Sequence, residues 1–280
     1  MTVDRLVLDA RDALNSAFTA FGPVDPEGAP LPGPRDVALT NSRVMCSGEE
    51  GACMLFAGVV GALIRGNYFE SAGSLTGVHI QGDLFSGTDG SRVEGNVIVA
   101  TAPSIAPIFG GIRVRDGSGL TIADNQILGP WQQSIAVSAL AQSLFERNRA
   151  RGAVHYGLSF AFNVFVSTIP AEIRSNTVRN NHVSDAGSGG ILARNACFNT
   201  FLGNNLRDFA PGMGMVFWQN TGANRYVGPR RDVTDLGMRD CDGDGRNDPN
   251  DIGGSGQVRM SSAIGDEIST VQLSGNTRFR

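Results

Sequence analysis

Five aspartates near the C-terminus follow the spacing of a twelve-residue calcium loop. They occupy positions 1, 3, 5, 9 and 12, with a glycine at position 6 and a backbone carbonyl available at position 7. Carboxylates this close repel one another unless a cation lies among them, so we predict Ca²⁺ as a structural ligand. A solvated acidic loop is the alternative. The predicted ligands are Asp240, Asp242, Asp244, Arg246 (through its carbonyl), Asp248 and Asp251, with Gly245 at the turn.

The end of this loop departs from a sensor-type calcium hand. Position 12 is Asp251 rather than glutamate, which shortens the reach of a bidentate ligand. Pro249 and the pair Gly253-Gly254 also oppose a long helix after the loop. The loop therefore resembles those of dockerin and thrombospondin repeats. Because its own side chains would surround the ion, we expect the metal to stabilise the fold rather than to act in catalysis.

Two short units carry a second group of polar residues. They read Gly-Val-His-Ile from residue 77 and Gly-Ile-Arg-Val from residue 111, an alternation typical of strands with one buried face. The alternation points His79, Gln81, Arg113 and Arg115 outward and makes them neighbours on consecutive strands. Since guanidinium groups bind carboxylates and sulfates bidentately, we predict a binding site for an acidic polysaccharide. An ordinary solvated sheet face is the alternative.

An asparagine recurs in a fixed apolar frame along the chain. The frame is an apolar residue, two residues, Asn, one residue and a second apolar residue, as in Ile64-Arg-Gly-Asn67-Tyr-Phe69. The asparagines lie 29, 29, 23, 28 and 28 residues apart, and a weaker copy lies near Asn41. They are Asn67, Asn96, Asn125, Asn148, Asn176 and Asn204.

These repeats predict an all-β chain that folds as a right-handed parallel β-helix of about seven coils. Each coil would supply short strands whose apolar face is buried only by stacking on the next coil. Asparagines at equivalent positions would then stack into a side-chain ladder with satisfied amides. Coils of 23 to 29 residues are too long for a left-handed helix of hexapeptide repeats. A role of the asparagines as sugar ligands is the alternative.

The chain resembles bacterial parallel β-helix repeat proteins of the pectate-lyase-like superfamily. The resemblance rests on the repeated Gly-Ile-x-Val and Ile-x-x-Asn-x-Ile units and on the segment Asn195-Ala-Cys-Phe-Asn-Thr-Phe-Leu-Gly-Asn-Asn-Leu206, and it covers roughly residues 37 to 227. It implies the fold but leaves the reaction open, because the scaffold hosts lyases, hydrolases, epimerases and non-catalytic binders. The Asn-Thr-Asp, Asp-Asp, Gly-His-Gly and Arg-Ile-Lys motifs of polygalacturonases are absent, as is the Asp-Pro-His-Asp motif of alginate epimerases.

The two ends of the chain differ from the repeats. Apolar residues at helical spacing in residues 9–21 predict an amphipathic helix that caps the first coil, with a partner-binding helix as the alternative. A proline-rich connector follows at 22–34. We therefore expect a cap and connector (1–36), a β-helix (37–229), a calcium-loop insertion (230–254) and terminal strands or a last coil (255–280).

Composition excludes several kinds of chemistry and partner. All 23 basic residues are arginines, so no lysine can form a Schiff base or act as a general base. The net charge of −4 gives no sign of a nucleic-acid partner. The sequence contains no run of 18 or more apolar residues, so we expect no membrane span.

The four cysteines could form two disulfides. Cys46 and Cys53 are close enough in sequence to bridge locally, and Cys197 could pair with Cys241; free thiols are the alternative. Because disulfides persist in oxidising compartments, we expect an extracellular or cell-surface protein. The sequence opens without a signal peptide, which suits either a cytosolic protein or a chain that follows a removed signal.

Two functions remain. We favour a secreted, calcium-binding module that binds polysaccharide or serves as a surface scaffold, because the family motifs are missing and the outward residues of the middle coils are small. The alternative is a lyase or epimerase acting on a uronate-containing glycan, in which Arg neutralises the carboxylate and His or Tyr abstracts the C5 proton. His155, Tyr156 and His182 are candidates for that role, but the sequence assigns no catalytic residue and predicts no number of subunits.

Overall fold

Short parallel strands make up the described chain, and each pairs with strands one coil above and below it. The computed structural model describes residues 1–11, 16–21, 34–47, 51–73, 76–82, 88–103, 110–161, 173–254, 257–261 and 268–272. The strands form three sheets along one axis, so the chain winds as the predicted right-handed parallel β-helix. In the described residues, no helix is both long enough and apolar enough to span a membrane.

Sheet 1 contains ten parallel strands, one from each successive coil, and then two antiparallel strands. One inward residue per strand stacks on the next in direct register, from Val3 through Ile122 to Ile252. The strands are β1 (Thr2–Asp4), β4 (Ala38–Thr40), β7 (Leu63–Arg65), β10 (Arg92–Glu94), β13 (Thr121–Ala123), β16 (Leu144–Glu146), β20 (Thr177–Arg179), β24 (Thr200–Leu202), β28 (Arg225–Val227), β30 (Asp251–Gly254), β31 (Gln257–Ser261) and β32 (Ile268–Gln272).

Sheets 2 and 3 complete each coil. Sheet 2 consists of β2 (Val7–Ala10), β5 (Arg43–Cys46), β8 (Tyr68–Ala72), β11 (Val97–Ala102), β14 (Gln126–Leu128), β17 (Arg149–Arg151), β21 (His182–Ser184) and β25 (Asn205–Leu206). Sheet 3 consists of β3 (Phe18–Phe21), β6 (Ala52–Ala57), β9 (Thr76–Gln81), β12 (Gly110–Ser118), β15 (Gln133–Ala141), β18 (Tyr156–Ala161), β22 (Gly189–Arg194), β26 (Met215–Phe217) and β29 (Val233–Asp235). Three short strands lie at the corner between sheets 3 and 1: β19 (Ile173–Arg174), β23 (Ala196–Cys197) and β27 (Thr221–Gly222). A 3₁₀ turn at Arg230–Asp232 precedes β29.

Stacked apolar side chains fill the space between the three sheets. In the C-terminal half of the solenoid, Phe145, Phe160, Phe201 and Phe217 pack edge to face with ring centroids 4.9 to 5.8 Å apart. Each such pair adds roughly 1 kcal/mol to the stability gained from burial alone. The core is therefore continuous from coil to coil along the axis.

Glycines at the starts of two sheet 3 strands explain the Gly-Ile units of the sequence. A Cβ atom on Gly111 would overlap the side chain of Ile127, and one on Gly157 would overlap Val183. Both neighbours are inward residues of sheet 2. Glycine is therefore required where sheets 2 and 3 approach most closely.

A ladder of stacked, buried polar side chains lies at the corner between sheets 1 and 2. From coil to coil, the backbone N–H and the side-chain amide of one asparagine donate to Oδ1 of the next, at 2.9 to 3.2 Å. The same amide also donates to a backbone carbonyl of the preceding coil. This first ladder contains Ser42, Asn67, Asn96, Asn125, Asn148, Asn181 and Asn204.

A second ladder of the same design lies at the corner between sheets 3 and 1. It contains Ser143, Asn176, Asn199, Asn224 and Asn250. The prediction that Asn176 follows Asn148 in one ladder is therefore wrong, because the Ile-x-x-Asn frame occurs at both corners and Asn181 takes that place. The weaker copy also shifts by one residue: Ser42 is in the ladder, while Asn41 turns the chain with a φ of 47°.

The N-terminal segment is part of the solenoid. In the described residues of 9–21 no helix forms; β2 and β3 instead pair with β5 and β6. The predicted capping helix is wrong for these residues, because strand pairing with the next coil satisfies the backbone. Ala17, Phe18 and Ala20 are partly buried against the core. Residues 12–15 and the connector at 22–33 lie outside the described residues.

The solenoid is also longer than the sequence repeats indicate. Parallel strands extend from Thr2 to Gly254, so the boundaries expected at 37 and 229 lie inside it. Sheet 1 contains ten parallel strands, one from each coil, whereas the sequence predicts about seven coils. The asparagine pattern does not mark the first coils, because Leu6 and Ser42 occupy the ladder position at the N-terminal end.

The first ladder yields a stability prediction. Replacing Asn148 by Ala removes acceptors for Asn125 and donors to Asn181 and to the Ile122 carbonyl. Several buried polar groups then lose their partners, so we expect a loss of roughly 2 to 4 kcal/mol in the free energy of unfolding, measured by denaturant titration. Asn205→Ala is the matched control, because the half-buried Asn205 side chain points outward from sheet 2 and takes no part in the ladder, and its effect should stay within about 0.5 kcal/mol. Equal denaturation midpoints for the two variants would contradict the ladder's role.

Candidate functional site

A cleft of about 260 Å³ lies on the outer face of sheet 3. Its floor consists of small side chains from two adjacent strands, Ala136 and Ser138 on β15 and Ser159 and Ala161 on β18. The remaining lining residues are Arg113, Gln133, Val137, His155, Tyr156, Leu192 and Arg194. Arginines thus stand on the first and last strands of the cleft, with an aromatic ring beside the floor.

Strand register fixes where these side chains point. Arg113 lies opposite Ala136, Ala136 opposite Ser159, and Ser159 opposite Leu192 on successive strands. Arg194 belongs to the outward row two residues further along, opposite Ala161. With strands about 4.8 Å apart, the three steps from β12 to β22 place the two arginine-bearing strands about 14 Å apart.

Two buried donors in the cleft have no hydrogen-bond partner in the described part of the chain. They are the hydroxyl of Ser159 and the Nε–H of Arg194. The Arg194 guanidinium also donates from Nη2 to Oε1 of Gln219, but at a long 3.4 Å. Because buried polar groups are normally paired, these donors indicate a surface that a polar ligand would complete.

Burial governs the charges at the N-terminal end of the cleft. Burial and the neighbouring charge of Arg115 lower the pKa of Arg113 to about 10, so its guanidinium stays cationic at neutral pH. Burial, together with the charges of Arg113 and Arg115, lowers the pKa of His79 to about 3. His79 is therefore a neutral imidazole, and its buried Nε2 has no partner in the described residues.

Of the four predicted binding residues, Arg113 alone lines the cleft as described. Arg113 pairs in register with His79, and Arg115 with Gln81, so the predicted adjacency is confirmed. The cleft, however, extends from Arg113 toward the C-terminal coils, and the other three residues do not line it. Arg115 instead forms an ion pair with Asp116 at 2.6 Å.

Sequence reasoning did not include Tyr156, Ser159 and Arg194 in the predicted binding set. The signal was present, because Ser159 and Arg194 are outward residues of the same alternating rows. The sequence did not show which of the coils in this row enclose a cleft, and the structure places that cleft on the C-terminal side of Arg113.

The acidic loop brings three of its aspartates together. Ligand oxygens of Asp240, Asp242 and Asp244 lie within 4.8 Å of one another. Asp240 accepts backbone hydrogen bonds from Gly243 and Gly245 at 2.6 and 2.8 Å, and these lower its pKa. The loop is therefore closed around a compact carboxylate cluster, a donor set that suits a hard divalent cation.

The other predicted ligands lie outside this cluster. Asp248 accepts a hydrogen bond from the backbone N–H of Cys241 at 2.8 Å. Asp251 lies in β30, next to Arg225 at 3.9 Å, and burial raises its pKa. The side-chain oxygens of positions 1, 3 and 5 are thus brought together, while Asp251 at position 12 lies in a paired strand of sheet 1.

Covalent and backbone contacts hold the acidic loop against the solenoid. Cys197 and Cys241 form a disulfide with Cα atoms 5.9 Å apart, and Cys46 and Cys53 form the other predicted disulfide, 5.3 Å apart. A Cβ atom on Gly222 would collide with backbone carbonyls of the loop. The loop position is therefore determined by the last coils.

Comparison with known proteins identifies the family. Residues 33–206 match the right handed beta helix region, which is more than half of the 280 residues, so the chain belongs to this family. No curated protein sequence matches it significantly.

Among solved structures, the fold is similar to DFA-IIIase from Arthrobacter chlorophenolicus A6 in complex with GF2. The TM-score is 0.51 at 13% identity, over 73% of this chain and 53% of DFA-IIIase. A mutant of the same enzyme in complex with DFA-III gives a TM-score of 0.48 at 13% identity, over 81% and 56% of the two chains. The chain thus spans about half the length of DFA-IIIase, and the likeness establishes the fold alone.

The depressed pKa of His79 predicts a pH effect on stability. Its folded pKa of about 3 lies below the unfolded value of 6.5, so the unfolded state binds the extra proton between these values. The stability contributed by neutral His79 is present above pH 6.5 and is lost as pH falls toward 3. When the pH is lowered from 7 to 4, the free energy of unfolding should therefore fall by roughly 1 to 3 kcal/mol less in His79→Gln than in the wild type. Urea unfolding measures both values.

Nuclear magnetic resonance gives an independent check on this effect. The imidazole signal that disappears in His79→Gln should show no titration down to pH 5 in the wild type. A midpoint near 6.5 for that signal, or parallel pH dependences of the two proteins, would contradict the burial of a neutral imidazole.

Proposed function

We propose that this β-helix binds an acidic oligosaccharide in the cleft on sheet 3. One observation carries the proposal: two arginines stand on the outer strands of a cleft whose floor is made of small side chains, and two of its buried donors, on Ser159 and Arg194, have no partner among the described residues. The small floor leaves room for sugar rings, and Tyr156 offers an aromatic face beside them. The spacing of about 14 Å between the arginine-bearing strands suits a ligand of several units rather than a single ion.

Each polar group of the cleft has a role in such a complex. Arg113, buried and cationic, would pair with a carboxylate or sulfate group in an environment where water screens the interaction weakly. The hydroxyl of Ser159 and the Nε–H of Arg194 would donate to ligand oxygens. Binding would thus satisfy donors whose burial otherwise costs about 1 to 3 kcal/mol each.

A lyase or epimerase acting on a uronate glycan is the second candidate. It is favoured by His155 and Tyr156, which line the same cleft as the arginines. Binding without turnover remains the preferred function, because burial raises the pKa of Tyr156 and so opposes its ionisation. The described lining of the cleft also contains no carboxylate that could act as a second proton carrier.

The fold likeness is consistent with a carbohydrate ligand but does not carry the proposal. DFA-IIIase is a glycoside-processing enzyme, and the likeness to it suggests a carbohydrate-related function in the broad sense. We also propose that the ligand is a polysaccharide and that the chain belongs to the pectate-lyase-like branch of the family. A role as a surface scaffold is part of the same proposal.

The proposal also includes a structural Ca²⁺ ion and an extracytoplasmic location. The cluster of Asp240, Asp242 and Asp244 offers the oxygen ligands that Ca²⁺ prefers, with no catalytic part for the ion. Two disulfides in one chain favour an oxidising compartment, hence an extracellular or cell-surface protein.

Variants of the cleft test the binding function. Tyr156→Ala removes the aromatic face and Arg194→Gln removes a charge and an unpaired donor, so we expect each to weaken binding of oligogalacturonate, alginate or chondroitin sulfate fragments at least tenfold. Isothermal titration calorimetry measures the affinities. Arg92→Gln is the matched control, because Arg92 is exposed on sheet 1 and paired with Glu94.

Absorbance at 235 nm in the same mixtures separates binding from lyase chemistry. New unsaturated product that is lost in the Tyr156 or His155 variant would establish the second candidate instead. Unchanged affinity in both cleft variants would show that the cleft is not the binding site.

The carboxylate cluster predicts stabilisation by calcium. Ca²⁺ at about 100 times its Kd should stabilise the folded chain by about 3 kcal/mol, which corresponds to a rise in Tm on the order of 5 °C. Asp242→Asn combined with Asp244→Asn should abolish the rise in scanning calorimetry. Asp185→Asn, which removes an exposed carboxylate elsewhere, should keep it. An unchanged Tm in Ca²⁺ and in chelator would rule out the site.

A further inference from the structure

A second groove runs along the corner between sheets 1 and 2, away from the cleft on sheet 3. It encloses about 810 Å³. Its outward row is in direct register on four consecutive strands, β14, β17, β21 and β25. This row consists of Gln126, Arg149, His182 and Asn205. With strands about 4.8 Å apart, the row is about 14 Å long and parallel to the solenoid axis.

The four side chains of this row have unused hydrogen-bonding capacity. Within the described residues, none of them forms a side-chain hydrogen bond or an ion pair. All four can donate, and the amides and the imidazole can also accept. Sugar hydroxyl groups require this mixture of donors and acceptors.

Most other polar side chains around the row already have hydrogen-bond or ion-pair partners. The floor is the first ladder, whose amides are hydrogen-bonded to one another and to backbone. On one side, Arg147 forms a bidentate ion pair with Asp124, with both distances 2.8 Å. On the other side, Arg151 is paired with Asp185 at 2.6 Å. Among the described arginines of this region, Arg149 alone has no carboxylate partner.

We propose that this groove is a second glycan site. It binds a glycan segment along the axis, with hydroxyl groups on Gln126, His182 and Asn205 and an acidic substituent on Arg149. The inference extends the proposed function to a second surface and rests on it for the class of ligand, but not for any residue. Since the cleft and the groove lie on different sheets of the same coils, one molecule can bridge two polysaccharide chains.

The described lining of the groove contains no Phe, Tyr or Trp, which distinguishes it from the cleft with its Tyr156. Hydrogen bonds and the unpaired charge of Arg149 must supply most of its affinity, because the small imidazole of His182 is the one ring in the described lining that a sugar could contact. We therefore expect weaker binding in the groove than in the cleft, with a modest dependence on salt from the one arginine.

Isothermal titration calorimetry with fragments of oligogalacturonate, alginate and chondroitin sulfate tests the inference. The wild type should bind two equivalents of at least one probe. Arg149→Ala combined with His182→Ala should reduce the affinity of the weaker site at least tenfold and leave one equivalent. The cleft variant Arg194→Gln should keep the weaker site.

Arg151→Ala is the matched control for this experiment. Arg151 lies on the same strand two residues after Arg149, and its loss removes the same charge, but it faces Asp185 outside the groove. This variant should still bind two equivalents. An equal loss of affinity in Arg151→Ala and in the Arg149→Ala, His182→Ala double variant would indicate a non-specific effect of charge and would overturn the inference.

The possible results separate this inference from the proposed function. If the wild type binds one equivalent, and the cleft variant alone loses it, the groove is not a site while the proposed function stands. If the groove variant alone loses that equivalent, the groove is the site and the cleft assignment is wrong. No binding of any of the three probes overturns both.

Discussion

The two ladders of buried side-chain amides determine where every coil of this solenoid lies. An asparagine amide in the interior is acceptable only when its donors and its acceptor are all used, and each ladder member uses them on the coils before and after it. A slip of one residue would leave buried amides unpaired and would turn the apolar row of the strand outward. The ladders therefore fix register as well as stability.

The candidate sites depend on this register. Side chains at the floor of the cleft come from β15 and β18, whose paired residues are 23 apart in sequence, and they are neighbours only because the register of the coils is fixed. The same holds for the row of the groove on sheet 2. Outward residues on a rigid backbone lose little conformational freedom when a ligand binds, which favours affinity without rearrangement of the chain.

Much of the fold could be predicted from the sequence, because inward and outward residues alternate wherever a Gly-Ile or Ile-x-x-Asn unit occurs. The adjacency of Arg113 and His79 followed from this alternation alone. The first coil could not be predicted, since Leu6 stands at the ladder position and leaves no asparagine to mark it. Asn176 was placed in the wrong ladder because two corners of the coil use one local pattern.

The candidate site was harder to predict than the fold. Its limits depend on which coils lie beside each other and on whether a buried donor finds a partner, and both are tertiary properties. The acidic loop shows the same limit: its spacing extends to Asp251, but strand pairing places that residue in sheet 1. Spacing alone could not show that the cluster would contain three aspartates.

The lengths of chain between ladder members have a consequence for how such proteins diversify. Successive members of the first ladder are separated by 25, 29, 29, 23, 33 and 23 residues, yet they make the same contacts. A segment can thus grow or shrink by ten residues without displacing the anchors on either side. Each coil can acquire a new loop by insertion or recombination while its neighbours stay unchanged, so surface chemistry can evolve one coil at a time.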